Sequence, residues 1–106
     1  VCNNLKNIKK NLEQTDLLVN TTPMGMKGFP MLDIDTKKLR FNAAVFDLIY
    51  NPLETKLIKE SKKRGIKSIN GLDMLMYQAQ RSFYYWLNKT PKITNKLKKI
   101  LEKEIK

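Results

Sequence analysis

The sequence predicts an α/β protein centred on a parallel sheet of about three strands, with flanking and C-terminal helices. Two observations carry this. Three apolar runs, at residues 16–20, 43–50 and 66–70, read as short strands without the polar alternation of a half-solvated sheet. They are separated by segments long enough for the crossovers that parallel strands need, usually made by a helix.

The elements follow in order. Leu5, Ile8 and Leu12 recur at helical spacing among Asn and Lys, which predicts an amphipathic helix over about residues 3–14. The run Asp16-Leu17-Leu18-Val19-Asn20 is the first strand, and Thr21-Thr22-Pro23-Met24-Gly25-Met26 breaks it into a loop. A stretch with Gly28 and Pro30 leads to the second strand, which Asn51-Pro52 stops. Residues 55–64 carry Leu57 and Ile58 on one face with Lys on the other, and Gly65 sits where a helix-ending glycine belongs. The third strand follows. Beyond Gly71 a long helix is predicted over about residues 72–87. A last helix carries the stripe Ile93, Leu97, Ile100, Leu101 and Ile105.

Composition excludes several classes of function. The chain has 106 residues, room for one small domain or part of one. Its single cysteine, Cys2, forms no internal disulfide, and with no histidine a zinc cluster has no ligand set, so no metal site is expected. A reducing, cytoplasmic setting fits this best. No apolar run approaches the ~20 residues needed to span a bilayer, and no signal-peptide core is present, so no membrane association is expected. The formal charge of +11 invites a nucleic-acid reading. Its distribution argues against it: of 21 basic residues only Arg40, Arg64 and Arg81 are arginines, and the lysines are spread over several helical faces without interleaved aromatics. A basic nucleic-acid-binding module remains the alternative from a different class.

In parallel α/β sheets ligands bind beyond the carboxyl ends of the strands. Three segments meet that condition here, at residues 20–26, 47–52 and 70–78. Each carries a motif. Asp-Leu-Leu-Val-Asn-Thr-Thr-Pro-Met-Gly-Met (16–26), Val-Phe-Asp-Leu-Ile-Tyr-Asn-Pro-Leu-Glu-Thr-Lys-Leu (45–57) and Asn-Gly-Leu-Asp-Met-Leu-Met-Tyr-Gln-Ala (70–79) resemble, in the same order, three segments of the shikimate dehydrogenase family. The resemblance covers about residues 14–91.

The resemblance implies the C-terminal part of that family's Rossmann-like NADP-binding domain, residues 1–106 forming a partial domain with terminal helices from about residue 72. It implies NADP as cofactor and shikimate or 3-dehydroshikimate as substrate. Thr22, with Pro23, is then placed beside the cofactor, Leu48 and Gly71 against the nicotinamide, and Met74 near it. Tyr50 and Gln78 match the family's substrate-binding tyrosine and glutamine. Leu48 and Tyr50, two apart on one strand, would project to one side, and a missing side chain at Gly71 would let a planar ring approach the backbone.

The family's catalytic lysine and aspartate belong to its N-terminal substrate domain, outside the matched region. The expectation is therefore that no catalytic residue lies in this chain, that the N-terminal domain is absent, and that the chain alone is inactive. Gly25, Gly28, Gly65 and Gly71 make no G-x-G-x-x-G loop. Asp47 and Asp73 read as structural, Asp73 favouring a helix start. A quinate-using relative and a remnant without function of its own are the remaining alternatives.

Overall fold

A computed structural model describes residues 5–105, with the side chains of Leu5 and Lys6 outside the description. Cys2 and the first residues of the expected N-terminal helix lie outside the described residues.

Helix α1 runs Leu5–Asn11 and tightens into a 3-10 turn, Leu12–Gln14. Strand β1 is Leu17–Asn20, β2 is Ala44–Asp47 and β3 is Lys67–Ile69. All pairings are parallel in the order β1-β2-β3, with Leu18 opposite Val45 and Val45 opposite Ser68. Helix α2, Lys56–Lys63, joins β2 to β3; α3, Leu72–Leu87, and α4, Asn95–Glu104, close the chain.

The expected strand over 43–50 is shorter than its apolar run, and the reason lies in the partners of the residues that follow it. Leu48 N–H makes the last bond to β1, donating to the Asn20 carbonyl at 3.1 Å; beyond it the Ile49 N–H donates to the Asp47 carboxylate, and the Ile49 carbonyl accepts from Gly71 N–H at 3.0 Å. The β1–β2 crossover also departs from expectation. It contains only a 3-10 turn, Thr36–Lys38; Pro23 and Pro30 and the left-handed Gly25 and Gly28 (φ +100° and +87°) rule out a helix over residues 23–30.

Helix α2 has clear start and stop signals. The Thr55 hydroxyl accepts from Ile58 N–H at 3.3 Å, and Gly65 ends the helix at φ +70°. Ile93, expected in the last helix, lies before it, since Thr94 is the residue whose side chain caps α4.

The core occupies one side of the sheet. Val45 is buried there with Leu12, Leu39, Leu57, Ile58 and Ile66, and half-buried Ile8, Leu18, Met24 and Ile34 pack around them. Burying each of the larger side chains stabilises the fold by about 1.5–3 kcal/mol. The opposite face is bare by comparison. Leu17 is 59% exposed, Val19 41% and Ile69 48%, and Val19, Phe46 and Ile69 stand in register across all three strands. Helix α3 buries Leu72 and Met76 at its start, whereas Tyr85, Trp86 and Leu87 at its far end are exposed. Lys98 on α4 reaches back to both carboxylate oxygens of Asp73, at 2.7 and 2.9 Å, tying the last helix to the first turn of α3. No helix among the described residues is long and apolar enough to cross a membrane.

Candidate functional site at the carboxyl ends of β1 and β2

Asn20 and Asp47, the last residues of β1 and β2, stand opposite each other in register and are both buried. Their side chains organise the two loops that follow. Asn20 Nδ2 donates to Asp47 Oδ1 at 3.1 Å and to the Met24 carbonyl at 3.1 Å. Asn20 Oδ1 accepts from both Thr22 N–H (3.1 Å) and the Thr22 hydroxyl (2.7 Å). Asp47 in turn accepts from Ile49 N–H at 3.1 Å and from the Thr55 hydroxyl at 2.6 Å. A buried carboxylate is tolerated where hydrogen bonds replace its lost hydration, and three donors do so here.

Between these loops lies an open cleft of about 520 Å³, walled by Thr21, Thr22, Pro23 and Met26 on one side and by Leu48, Ile49, Tyr50 and Asn51 on the other, with Lys27 at its margin. Thr22, Leu48 and Tyr50 thus meet in one cavity. The strand-period argument for pairing Leu48 with Tyr50 does not apply, because β2 ends at Asp47; the post-strand bend brings both to the cleft. The Thr22 hydroxyl is already engaged, donating to Asn20 and accepting from Met24 N–H at 3.2 Å. What this residue adds to the wall is its methyl group and its backbone.

Gly71 lies against the same loop from behind. A Cβ built there would stand 1.9 Å from the Leu48 carbonyl oxygen and 2.4 Å from its carbon. Contact with the backbone of residue 48 is therefore sufficient reason for glycine at this position, a reason that spacing did not supply. Met74 is half-buried and Gln78 exposed on α3, and neither lines the β1–β2 cleft. Asp73 starts α3 as expected and is also the partner of Lys98.

Lys27 and Asn51 are cleft residues that the motifs did not single out; Lys27 N–H donates to the Asn51 carbonyl at 3.1 Å, joining the two walls. The cleft as a whole offers apolar surface, backbone, the Tyr50 phenol and the Lys27 ammonium. That set suits the face of a flat heteroaromatic ring with a hydroxylated ligand beside it. Among the described residues, no group of three or more acidic, cysteine or histidine side chains is placed to hold a metal ion.

No family model matches the chain. A shikimate dehydrogenase (NADP(+)) of Rhodopseudomonas palustris strain BisB5 is 46% identical over 89 residues, 84% of this chain and 31% of that protein. A crystal structure of a shikimate dehydrogenase in complex with NADP+ superposes with a TM-score of 0.74 at 40% identity, over 90% of this chain and 32% of that one. The quinate dehydrogenase of Corynebacterium glutamicum in complex with NAD gives a TM-score of 0.76 at 31% identity, over 82% of this chain and 31% of that one. The chain spans about a third of the length of the curated relatives it matches. By sequence and by fold together, the chain corresponds to the C-terminal third of the shikimate dehydrogenases it matches.

Proposed function

We propose that this chain forms the nicotinamide-side part of an NADP-dependent shikimate dehydrogenase, which interconverts 3-dehydroshikimate and shikimate. The observation that supports this most directly is the meeting of Thr22, Leu48 and Tyr50 in one cleft at the carboxyl ends of parallel strands. When bound, NADP supplies the hydride donor or acceptor for the carbonyl–alcohol interconversion. Thr22, Pro23 and the Leu48 backbone hold the ring's face, with Gly71 fixing where that backbone lies and Met74 beside it. Tyr50 and Gln78 orient the substrate, the phenol and the amide each able to donate to and accept from ring hydroxyls. Proton transfer at the reacting oxygen falls to the lysine and aspartate that the family carries in its N-terminal domain, so the 106-residue chain by itself is inactive.

The test joins this chain behind the N-terminal two thirds of the Rhodopseudomonas palustris relative and follows NADP reduction with shikimate. Turnover in the joined protein and none in the chain alone is the expected result. A folded but inactive joined protein overturns the reading. The likeness to the quinate dehydrogenase favours a second reading, with quinate as substrate. Quinate and shikimate assayed side by side, with NAD and NADP, separate the two.

A further inference from the structure

We propose that Asp47 is a positioning residue that sets both walls of the cleft at once. The inference deepens the proposed dehydrogenase reading and rests on it for the identity of the ligands. Asp47 lies wholly inside the protein and is not itself among the residues that line the cleft. Its reach is through other groups. One oxygen accepts both from Asn20 Nδ2 and from Ile49 N–H, each at 3.1 Å. The first bond orients the Asn20 amide, whose oxygen holds Thr22 N–H and the Thr22 hydroxyl. The second pulls the chain out of the β-ladder between Leu48 and Tyr50. The other oxygen accepts from the Thr55 hydroxyl, which caps α2 at the same time.

One carboxylate therefore connects the wall assigned to the nicotinamide, at Thr22, to the turn that presents both Leu48 and Tyr50. Residues 20 and 47 are far apart in sequence, so only the strand register joins them. The Asn20 side chain bonds directly to the Thr22 wall alone, its link to Leu48 being through the backbone carbonyl that accepts from Leu48 N–H at 3.1 Å; the Asp47 side chain bonds to the supports of both walls. This asymmetry distinguishes positioning from plain support of the fold. A fold-supporting residue lowers thermal stability without selecting between ligands, whereas disturbance of Asn20 is felt at the cofactor wall and disturbance of Asp47 at both.

The experiment uses the joined protein described above, with Asn20→Ala, Asp47→Asn and, as a control on the core, Ile66→Val. Asp47→Asn keeps the shape of the side chain but replaces one acceptor oxygen with a donor, which faces the Thr55 hydroxyl in one amide orientation or Asn20 Nδ2 and Ile49 N–H in the other, and removes the charge that strengthens the bonds that remain. We expect it to raise KM for both NADP and shikimate by about tenfold, the effect of misplacing one well-formed hydrogen-bonded wall. Asn20→Ala raises KM for NADP by a similar factor and leaves that for shikimate within about twofold. Ile66→Val lowers the melting temperature and moves neither. Amide resonances give an arm independent of turnover: in Asp47→Asn the Thr22 and Ile49 N–H signals shift together. A shift at Ile49 alone, or unchanged KM values in an active protein, overturns the proposal. If the unsubstituted joined protein is inactive while the two resonances still move together, the dehydrogenase reading falls and the coupling of the walls stands.

Discussion

Asn20 Nδ2 donates to Asp47 Oδ1 at 3.1 Å across the end of the β1–β2 ladder, and the same Asn20 amide satisfies Thr22 and Met24. Replacing Asn20 with Ala leaves Thr22 N–H, the Thr22 hydroxyl and the Met24 carbonyl without this partner, and removes one of the donors to a buried carboxylate. The expected cost in stability is about 2–3 kcal/mol, since groups left unsatisfied cost more than one hydrogen bond contributes. Denaturant unfolding of the joined protein measures it, and a loss under about 0.5 kcal/mol would show that water replaces the amide freely.

Gly71→Ala should be more damaging than a single methyl group suggests. The added carbon would sit 1.9 Å from the Leu48 carbonyl oxygen, a backbone atom that cannot rotate away. The start of α3 must separate from residues 48 and 49, breaking the Gly71 N–H to Ile49 carbonyl bond. A destabilisation of about 3 kcal/mol is expected, at the upper end of overpacking costs. Melting curves of the two proteins decide this, and equal stability would place the backbones further apart than described.

Tyr50 offers the opposite case. It is 39% exposed and its hydroxyl has no partner among the described residues, so Tyr50→Phe should change stability by less than about 0.5 kcal/mol. If Tyr50 binds substrate as proposed, loss of the hydroxyl should raise KM for shikimate by about tenfold while leaving that for NADP unaltered. Unchanged kinetics would reduce Tyr50 to an aromatic at the cleft's rim.

The bare side of the sheet bears on the isolated chain. Val19, Phe46 and Ile69 form an apolar row across the strands, and a surface of this kind drives association in water. The chain alone should self-associate at micromolar concentration, and Val19→Lys with Ile69→Lys should shift it toward monomer in sedimentation velocity. A wild-type chain that stays monomeric would contradict the expectation.

Much of the architecture was legible in sequence, for identifiable reasons. Gly71 and the tract after Leu87 bracket α3, and Thr55 and Gly65 bracket α2, because caps and left-handed glycines act locally. The end of β2 was not legible. Nothing in Leu48-Ile49-Tyr50 distinguishes strand from bend; the difference is made by partners at Asp47 and Gly71. The motifs named Thr22, Leu48 and Tyr50, which share the cleft, yet they could not disclose that the Thr22 hydroxyl turns inward or that Asp47 reaches both loops. Those facts depend on strand register, which pairs residues 20 and 47 only once the sheet is assembled. Lys27 and Asn51 escaped notice for the same reason, being neighbours across two loops and not along one.

The inward-turned hydroxyl of Thr22 has a bearing on selectivity. A wall that engages its ligand through a methyl group, a proline ring and main chain reads outline and ignores substituents, because no buried polar atom is stranded when a ligand lacks a matching group. Any flat ring of the right thickness is then admitted on nearly equal terms. On the proposed reading, such a wall contributes little to the choice between one dinucleotide and another.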